Sequence, residues 1–199
     1  MLKQSFQKEL LEAGVDEAGR GCLAGPVVAA AVILPPSFRQ PLLNDSKKLT
    51  EKNRNFLRRI IESEAIAYSV DFVDNITIDK INVLNATYLA MHNAITKLDV
   101  SPGLLIVDGN RFRPYYGIPN VCVVGGDAIY ASVAAASILA KTWRDEYMIN
   151  EHKKYPDYGW NRNKGYATPF HVEALRKKGY TKLHRRSFHL KSDQLSLSI

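Results

Sequence analysis

Three short apolar runs that each lead into acidic residues constrain the fold more than any other feature of this sequence. Apolar runs of this length, bounded by glycines, predict buried β-strands. Side chains at the strand ends of an α/β sheet converge on one crevice, so the pattern predicts that the acidic residues meet there. The runs and their acids are residues 10–17 with Asp16 and Glu17, residues 104–107 with Asp108, and residues 121–124 with Asp127.

The rest of the chain alternates strand-like and helix-like patterns. Two further runs, residues 27–34 and 65–73, predict strands. Thr50 and Thr168 are placed to cap amphipathic helices, the second beginning at Pro169 and ending near Gly179. Two more helices are predicted over residues 82–98, with the stripe Leu84, Tyr88, Met91 and Ile95, and from residue 132 through 147. This order predicts an α/β fold with a sheet flanked by helices.

Each acidic residue taken alone also fits an ordinary turn. The pair Asp16 and Glu17 fits a solvated turn, and the glycines beside Asp108 and Asp127 are common in turns. Their shared placement favours a site, because clustered carboxylates repel one another unless cations neutralise them. Oxygen ligands without clustered Cys or His favour Mg²⁺ or Mn²⁺, and two such ions about 4 Å apart suit hydrolysis at phosphorus.

The charge balance points to a polyanionic partner. The formal net charge is +7 and the isoelectric point is about 9.4, and Lys and Arg gain affinity by releasing counterions from phosphates. A solvated basic face fits the same composition, so the charge alone leaves both interpretations open. The basic residues near the C-terminus are Lys164, Arg176, Lys177, Lys178, Lys182, Arg185, Arg186 and Lys191.

Composition also indicates the state of the two cysteines and the cellular location of the protein. Cys22 and Cys122 lie among apolar or small residues and outside any Cys-x-x-Cys pair, which predicts buried free thiols rather than a disulfide or a zinc site. No stretch approaches the ~20 apolar residues of a membrane span, and the N-terminus lacks a secretory apolar run. We therefore expect one globular, cytoplasmic domain.

Seven motifs follow one another along the chain: residues 14–27 (GVDEAGRGCLAGPV), 44–49 (NDSKKL), 107–110 (VDGN), 126–127 (GD), 134–141 (AAASILAK), 164–166 (KGY) and 184–188 (HRRSF). In this order they resemble the motifs of the bacterial ribonuclease HII family, the type 2 ribonucleases H. The resemblance spans most of the chain, and the set is far more specific than any single motif.

The resemblance implies an RNase H-like fold over residues 1–190, with a mixed sheet, flanking helices and a basic helical C-terminal part. It also implies that Asp16, Glu17, Asp108 and Asp127 are the catalytic, metal-binding carboxylates. The motif of Asp127 departs from the family pattern, in which Lys-Gly more often precedes the aspartate. Asp145 is a nearby alternative acid, which we interpret as structural and paired with Lys141 or Arg144.

The resemblance also implies a substrate-binding surface. Gly19, Arg20 and Gly21 match the element that contacts the ribonucleotide, where glycines let backbone N–H groups approach a 2′-hydroxyl. Arg20 fits a phosphate contact or a salt bridge that holds the loop. Tyr166 matches the tyrosine that stacks near the next sugar. Further predicted phosphate contacts are Ser46, Lys47, Arg185, Arg186 and Ser187, whereas His171, His184 and His189 are interpreted as structural.

The implied activity is endonucleolytic hydrolysis of RNA in RNA–DNA hybrids and cutting on the 5′ side of ribonucleotides embedded in duplex DNA, leaving 3′-hydroxyl and 5′-phosphate ends. One rival is a ribonuclease HIII-like enzyme, although only 15 residues precede Asp16, too few for the N-terminal substrate-binding domain of that relative. Another rival is a hybrid-binding module in which the carboxylates serve only structure.

The C-terminal residues carry a separate hypothesis. Residues 191–199 are predicted to form a flexible tail, and frayed termini are common. Residues 194–199, Gln194 to Ile199, resemble the glutamine-leucine motif by which bacterial replication and repair proteins bind the sliding clamp. The bacterial sliding clamp is therefore a predicted partner, beside RNA–DNA hybrid and ribonucleotide-containing duplex DNA.

Overall fold

A computed structural model of the protein describes residues 2–7 and 9–188, in which five strands form one mixed sheet. Along the sheet the order is β3-β2-β1-β4-β5; the three strands from β3 to β1 pair antiparallel, whereas β1–β4 and β4–β5 pair parallel. The strands are β1 Glu12–Ala18, β2 Val27–Ile33, β3 Ala67–Val73, β4 Leu104–Asp108 and β5 Asn120–Val123. The predicted mixed sheet is therefore confirmed.

Helices cover both faces of the sheet. The helix α2 packs on β2 and β3 from one side, while α3 packs on β1 and β2 from the other, with α1 against α3. Every residue of β2 is buried, as expected for a strand covered on both faces. The helices are α1 Glu51–Glu64, α2 Asn75–Thr96, α3 Ala131–His152, α4 Trp160–Asn163 and α5 Pro169–Lys178.

The predicted helix starts are confirmed at two caps. The hydroxyl of Thr50 accepts the N–H of Asn53, and that of Thr168 accepts the N–H of His171. The helix predicted from residue 82 starts earlier, at Asn75. At Asn82 the backbone leaves the helical region (φ 65°), so the predicted start marks a kink between two helical segments.

The small residues of α3 let this helix lie directly against β1. A Cβ on Gly14 would lie 2.1 Å from the carbonyl carbon of Ser132, so no larger residue fits between strand and helix. The side chains of Ala134 and Ala136 are fully buried on the same helix. This close approach brings Ser137 of α3 to the end of β1, where the acidic residues begin.

Several predictions concern residues or properties apart from the sheet. The suggested clamp motif at residues 194–199 and His189 lie outside the described residues. Cys22 is buried as predicted, but Cys122 is only half-buried; both thiols are free. In residues 2–7 and 9–188, no helix has the length and apolar character needed to cross a membrane.

Candidate active site

The strand register places two predicted acids side by side. Val15 of β1 pairs with Val107 of the parallel strand β4, so Asp16 and Asp108, the next residues, lie side by side toward the C-terminal ends of these strands. The Oδ1 atom of Asp108 accepts the N–H of Gly126 at 2.8 Å. That bond ties β4 to a short 3-10 turn, Gly126–Ala128, which carries Asp127. The turn, rather than the strand end itself, brings the third aspartate to the site.

Asp16 and Glu17 leave β1 toward opposite faces of the sheet. Asp16 is 4% exposed and is hydrogen-bonded by the Ser137 side chain on α3. Glu17 instead lines a groove on the α2 side together with Tyr88 and Asp108. The acidic residues thus surround the strand end from both sides; we call Asp16, Glu17, Asp108 and Asp127 the acidic centre.

Burial and mutual repulsion make the acidic centre costly to ionise. Burial is the largest cause that raises the pKa of Asp16, and the negative charges of Glu17 and Asp108 raise it further. The pKa of Glu17 is also raised, mainly by burial, although Arg20 opposes this shift. Burial followed by the charge of Asp108 raises the pKa of Asp127. The raised pKa of each of these carboxylates means that the surrounding protein groups do not fully compensate its negative charge.

The donor set of the acidic centre suits a hard divalent cation. The buried Oδ2 atom of Asp127 accepts no hydrogen bond within the described residues, and its nearest cation is the Nζ atom of Lys47 at 3.8 Å. Carboxylate oxygens are the ligands that Mg²⁺ and Mn²⁺ prefer. No three or more His, Cys, Asp or Glu side chains of residues 2–7 and 9–188 form a complete metal-holding group, however. Mg²⁺ is usually bound by one or two carboxylates together with waters and substrate phosphates, so a full set of protein ligands is not required.

A second 3-10 turn, Ser46–Lys48, packs next to the acidic centre. The hydroxyls of Ser46 and Ser137 lie 2.9 Å apart, and Ser46 is buried, so its contact with a phosphate stays a prediction. Lys47 next to it is exposed and remains placed for a phosphate. Asp45 caps this turn and raises the pKa of Asp127. Sequence reasoning missed Asp45 and Ser137, although both lie in the motifs at residues 44–49 and 134–141.

Gly19, Arg20 and Gly21, which are predicted to contact the ribonucleotide, form a turn beside the acidic centre that we call the glycine-rich turn. Arg20 and Gly21 are exposed, whereas residues 12–19 and 22–33 on either side are buried or half-buried. The Nη1 atom of Arg20 lies 3.2 Å from Oε1 of Glu17. The backbone of Cys22 forms a bridge with Tyr166, whose side chain is 39% exposed. The fold therefore brings together the glycine-rich turn and the tyrosine, which are more than 140 residues apart in sequence.

The C-terminal basic motif contributes less to the surface than predicted. Arg185 is fully buried, and its guanidinium donates to three backbone carbonyls, so its contact with a phosphate stays a prediction that this inward position does not favour. Arg186 is exposed and stacks 4.5 Å from the ring of Tyr180. Ser187 is exposed but its hydroxyl donates to Asp79 at 2.6 Å, so Arg186 is the better-placed phosphate contact.

The residues interpreted as structural are engaged inside the fold. Asp145 pairs with the Nζ atom of Lys141 at 2.7 Å, as predicted, and Arg144 instead donates to backbone carbonyls. The buried rings of His171 and His184 are hydrogen-bonded to each other at 3.1 Å. Asp127 therefore joins the acidic centre, whereas Asp145 belongs to an ion pair on α3.

Comparison with known proteins identifies the family. The family model described as Ribonuclease HII matches residues 13–191. A ribonuclease HII of Christiangramia forsetii is 57% identical over 192 residues, which cover 96% of this chain and 97% of the relative. A ribonuclease HII of Bacteroides thetaiotaomicron is 55% identical over the full length of both proteins. The similarity predicted from the motifs is thus confirmed along the chain.

Solved structures share the fold. The crystal structure of ribonuclease H2 from Pyrococcus horikoshii matches with a TM-score of 0.76 and 28% identity, covering 89% of this chain and 93% of that chain. The RNase HII in the PCNA complex from Archaeoglobus fulgidus matches with a TM-score of 0.76 and 28% identity, covering 92% and 96%. The chain belongs to the ribonuclease HII family and is a metal-dependent ribonuclease H with an RNase H-like fold.

Proposed function

We propose that this ribonuclease H hydrolyses the RNA strand of RNA–DNA hybrids and cuts duplex DNA on the 5′ side of an embedded ribonucleotide. The observation that carries the proposal is the direct contact between the acidic centre and the exposed glycine-rich turn. Arg20 of that turn lies 3.2 Å from Glu17 of the acidic centre. A 2′-hydroxyl held at the turn would therefore bring the neighbouring phosphate next to the carboxylates.

The acidic centre would hold Mg²⁺ or Mn²⁺. Bound in a pair, such ions would supply an activated water and stabilisation of the leaving oxygen, and hydrolysis of this kind would leave 3′-hydroxyl and 5′-phosphate ends. Asp16 and Asp108 lie at the common edge of parallel strands and would supply the central ligands. Asp127, whose Oδ2 atom lacks a hydrogen bond among the described residues, and Glu17 would complete the set.

Substrate recognition would rest on the turn, the tyrosine and a few exposed cations. The backbone at Gly19, Arg20 and Gly21 would read the 2′-hydroxyl, the group that distinguishes RNA from DNA. The half-exposed ring of Tyr166 would stack beside the next sugar. Lys47 would bind a backbone phosphate near the acidic centre, in line with the overall charge of +7.

A cleavage assay tests this function. We expect the protein to cut a DNA duplex with one embedded ribonucleotide at its 5′ side, and an RNA–DNA hybrid at several positions, only with Mg²⁺ or Mn²⁺. The matched all-DNA duplex is the control and should stay intact. End-group mapping should find 3′-hydroxyl and 5′-phosphate ends. Binding of the hybrid without cutting in either metal would support a non-catalytic binding module instead.

We also propose that residues 194–199 bind a bacterial sliding clamp. The sequence Gln-Leu-Ser-Leu-Ser-Ile is the basis of this proposal, and the Archaeoglobus fulgidus RNase HII was solved in a complex with PCNA. A peptide covering residues 191–199 should bind purified clamp, and a peptide with Gln194→Ala and Leu197→Ala should not. Equal binding by both peptides would contradict the proposal.

A further inference from the structure

Two buried arginines lie directly behind the glycine-rich turn. Arg144 of α3 and Arg185 near the C-terminus are both 0% exposed. Neither guanidinium forms an ion pair with a carboxylate within residues 2–7 and 9–188. An unpaired buried charge is costly, and burial beside Arg144 lowers the pKa of Arg185 to about 10. We call Arg144 and Arg185 the arginine pair.

Arg185 holds the turn by its carbonyl oxygens. Its Nη2 atom donates to the carbonyl of Gly19 at 2.7 Å, its Nη1 atom to that of Arg20 at 2.8 Å, and its Nε atom to that of Gly25 at 3.0 Å. Three donors of one rigid, planar group are therefore committed to one short loop. The guanidinium fixes the orientation of two consecutive peptide groups at the tip of the turn.

Arg144 ties the same loop to the tyrosine segment. Its Nη2 and Nε atoms donate to the carbonyls of Ala24 and Pro26, and its Nη1 atom donates to the carbonyl of Lys164 at 2.8 Å. Its Cζ atom lies 5.8 Å from the ring centre of Tyr166. Arg144 thus contacts both elements that are proposed to read the ribonucleotide.

The contact between Arg144 and the turn is tight enough to require glycine. Gly19 has a φ of 94°, and a Cβ at this position would lie 2.0 Å from the Nε atom of Arg144. Both the backbone conformation and the space exclude a larger side chain. The glycine of the motif is therefore explained by the buried guanidinium behind it.

The peptide geometry shows what the arginine pair presents to a ligand. In a trans peptide the carbonyl and the N–H of the next residue point in opposite directions, and all described peptide bonds are trans. The carbonyls of Gly19 and Arg20 point inward to Arg185, so the N–H groups of Arg20 and Gly21 point outward. Neither N–H donates to an acceptor among the described residues. Two neighbouring donors are thus left for an oxygen atom of a ligand.

We propose that Arg144 and Arg185 are positioning residues for ribonucleotide selectivity, which hold the N–H groups of Arg20 and Gly21 outward and set their place relative to Tyr166. This proposal rests on the proposed function, because it assumes that the turn reads a 2′-hydroxyl. The guanidinium is required for its geometry rather than its charge. A lysine keeps the charge but offers a point donor instead of a planar fork.

Binding measurements without divalent metal test the role directly. The preference of the wild type is the ratio of its affinities for a duplex with one ribonucleotide and for the identical all-DNA duplex. We expect Arg185→Lys and Arg144→Lys to lower this ratio by about tenfold, the equivalent of one good hydrogen-bond contact. Affinity for the all-DNA duplex should change less than about twofold, because phosphate contacts are untouched.

Arg58→Lys is the matched control. Arg58 stacks 4.0 Å from the Trp143 ring and pairs with Glu62 and Glu146, away from the turn. It should retain the wild-type preference. If the two arginine-pair variants melt cooperatively and also retain it, the positioning role is overturned. If the wild type itself shows no preference, the proposed function fails instead, which keeps the two failures distinct.

A measurement on the wild type covers the case in which a variant does not fold. In ¹⁵N-labelled protein, the ribonucleotide duplex should shift the amide resonances of Arg20 and Gly21 beyond the shift caused by the all-DNA duplex. Identical shifts with both duplexes, in a wild type that still prefers the ribonucleotide duplex, would overturn the proposal without any substitution, because the preference would then not depend on these N–H groups. The amide of Gly14 in β1 serves as an internal reference, because it lies buried against α3.

Discussion

The acidic centre and the arginine pair both bury charges of one sign, but they resolve the resulting cost differently. The guanidiniums of the arginine pair donate to six backbone carbonyls, so their hydrogen bonding is satisfied inside the fold. In the acidic centre three carboxylates have raised pKa values, and one oxygen of Asp127 lacks a partner among the described residues. The arginine pair is thus a completed structural element, whereas the acidic centre becomes electrostatically complete only with a ligand.

The largest effect is expected from Asp16→Asn. Losing this carboxylate should lower metal-dependent cleavage by about 1,000-fold, equivalent to about 4 kcal/mol of transition-state stabilisation. The same substitution removes a buried charge repelled by Glu17 and Asp108, so the metal-free protein should gain about 1 kcal/mol in its free energy of unfolding. Single-turnover cleavage and urea denaturation measure the two effects.

Asp71→Asn is the matched control for this prediction. Asp71 is a buried aspartate of β3 that accepts hydrogen bonds from Lys97 and from Asn93, the latter at 2.9 Å. Its charge is already compensated, so the substitution should lower the free energy of unfolding by about 1 kcal/mol and leave cleavage unchanged. If both substitutions shifted stability in the same direction, the contrast between compensated and uncompensated carboxylates would not hold.

In the arginine pair, Arg185→Met should act in the opposite direction on stability. The side chain fills similar space but leaves the carbonyls of Gly19, Arg20 and Gly25 without their donor. We expect a loss of about 3 kcal/mol in the free energy of unfolding, with or without metal. Arg58→Met, which removes ion pairs at the protein surface, should cost less than about 1 kcal/mol. A more stable Arg185→Met variant would mean that desolvation of the guanidinium outweighs its hydrogen bonds.

Divalent metal should stabilise the acidic centre and leave the arginine pair unaffected. At 100 times the dissociation constant, Mg²⁺ or Mn²⁺ should raise the free energy of unfolding of the wild type by about 2.7 kcal/mol. Asp108→Asn should lose this gain, whereas Arg58→Met should keep it in full. Thermal melting across a metal titration provides the measurement, and equal stabilisation of Asp108→Asn would place the metal elsewhere.

The same contrast explains which parts of the site could be predicted from the sequence. The acidic centre follows from local patterns, because Asp16 lies near the C-terminal end of β1, Asp108 ends β4, and parallel strands end on the same side of a sheet. The glycine-rich turn is likewise a local motif. The hydrogen bonds of Arg185 join residues about 160 positions apart, so nothing near Arg185 in the sequence distinguishes its buried side chain from the exposed one of Arg186.

The fold was predictable to a similar degree. Strands and capped helices came from hydrophobic periodicity and from Thr50 and Thr168, whose caps lie three residues from their donors. The first segment of α2 was missed, although Asp74 caps it by accepting the N–H of Thr77. Its polar residues hide the helical period, and the kink at Asn82 depends on a backbone conformation that the side-chain pattern does not report.

The smallest effect concerns pH and a third buried group, the hydrogen-bonded rings of His171 and His184. The N–H of Trp160 donates to Nε2 of His171, so the proton between the two rings lies on Nε2 of His184. The Nδ1 atom of His184 then accepts the N–H of Thr181 at 2.9 Å. Only neutral His184 makes these contacts, and burial, followed by the charge of a protonated His171, lowers its pKa to about 4.

The histidine pair and the acidic centre should therefore titrate with opposite signs. His184 has a pKa below its unfolded value of about 6.5, so its stabilising contribution is complete above pH 6.5 and is lost as the pH falls toward 4. The raised pKa of Asp16 has the reverse effect, because protonation in acid relieves a repulsion present at neutral pH.

In metal-free urea titrations at pH 7, 6 and 5, the stability advantage of the wild type over His184→Gln should shrink as the pH falls. The advantage of Asp16→Asn over the wild type should shrink as well, since the wild-type carboxylate takes up its proton. A constant difference between the wild type and His184→Gln would show that the buried ring does not titrate as its contacts require.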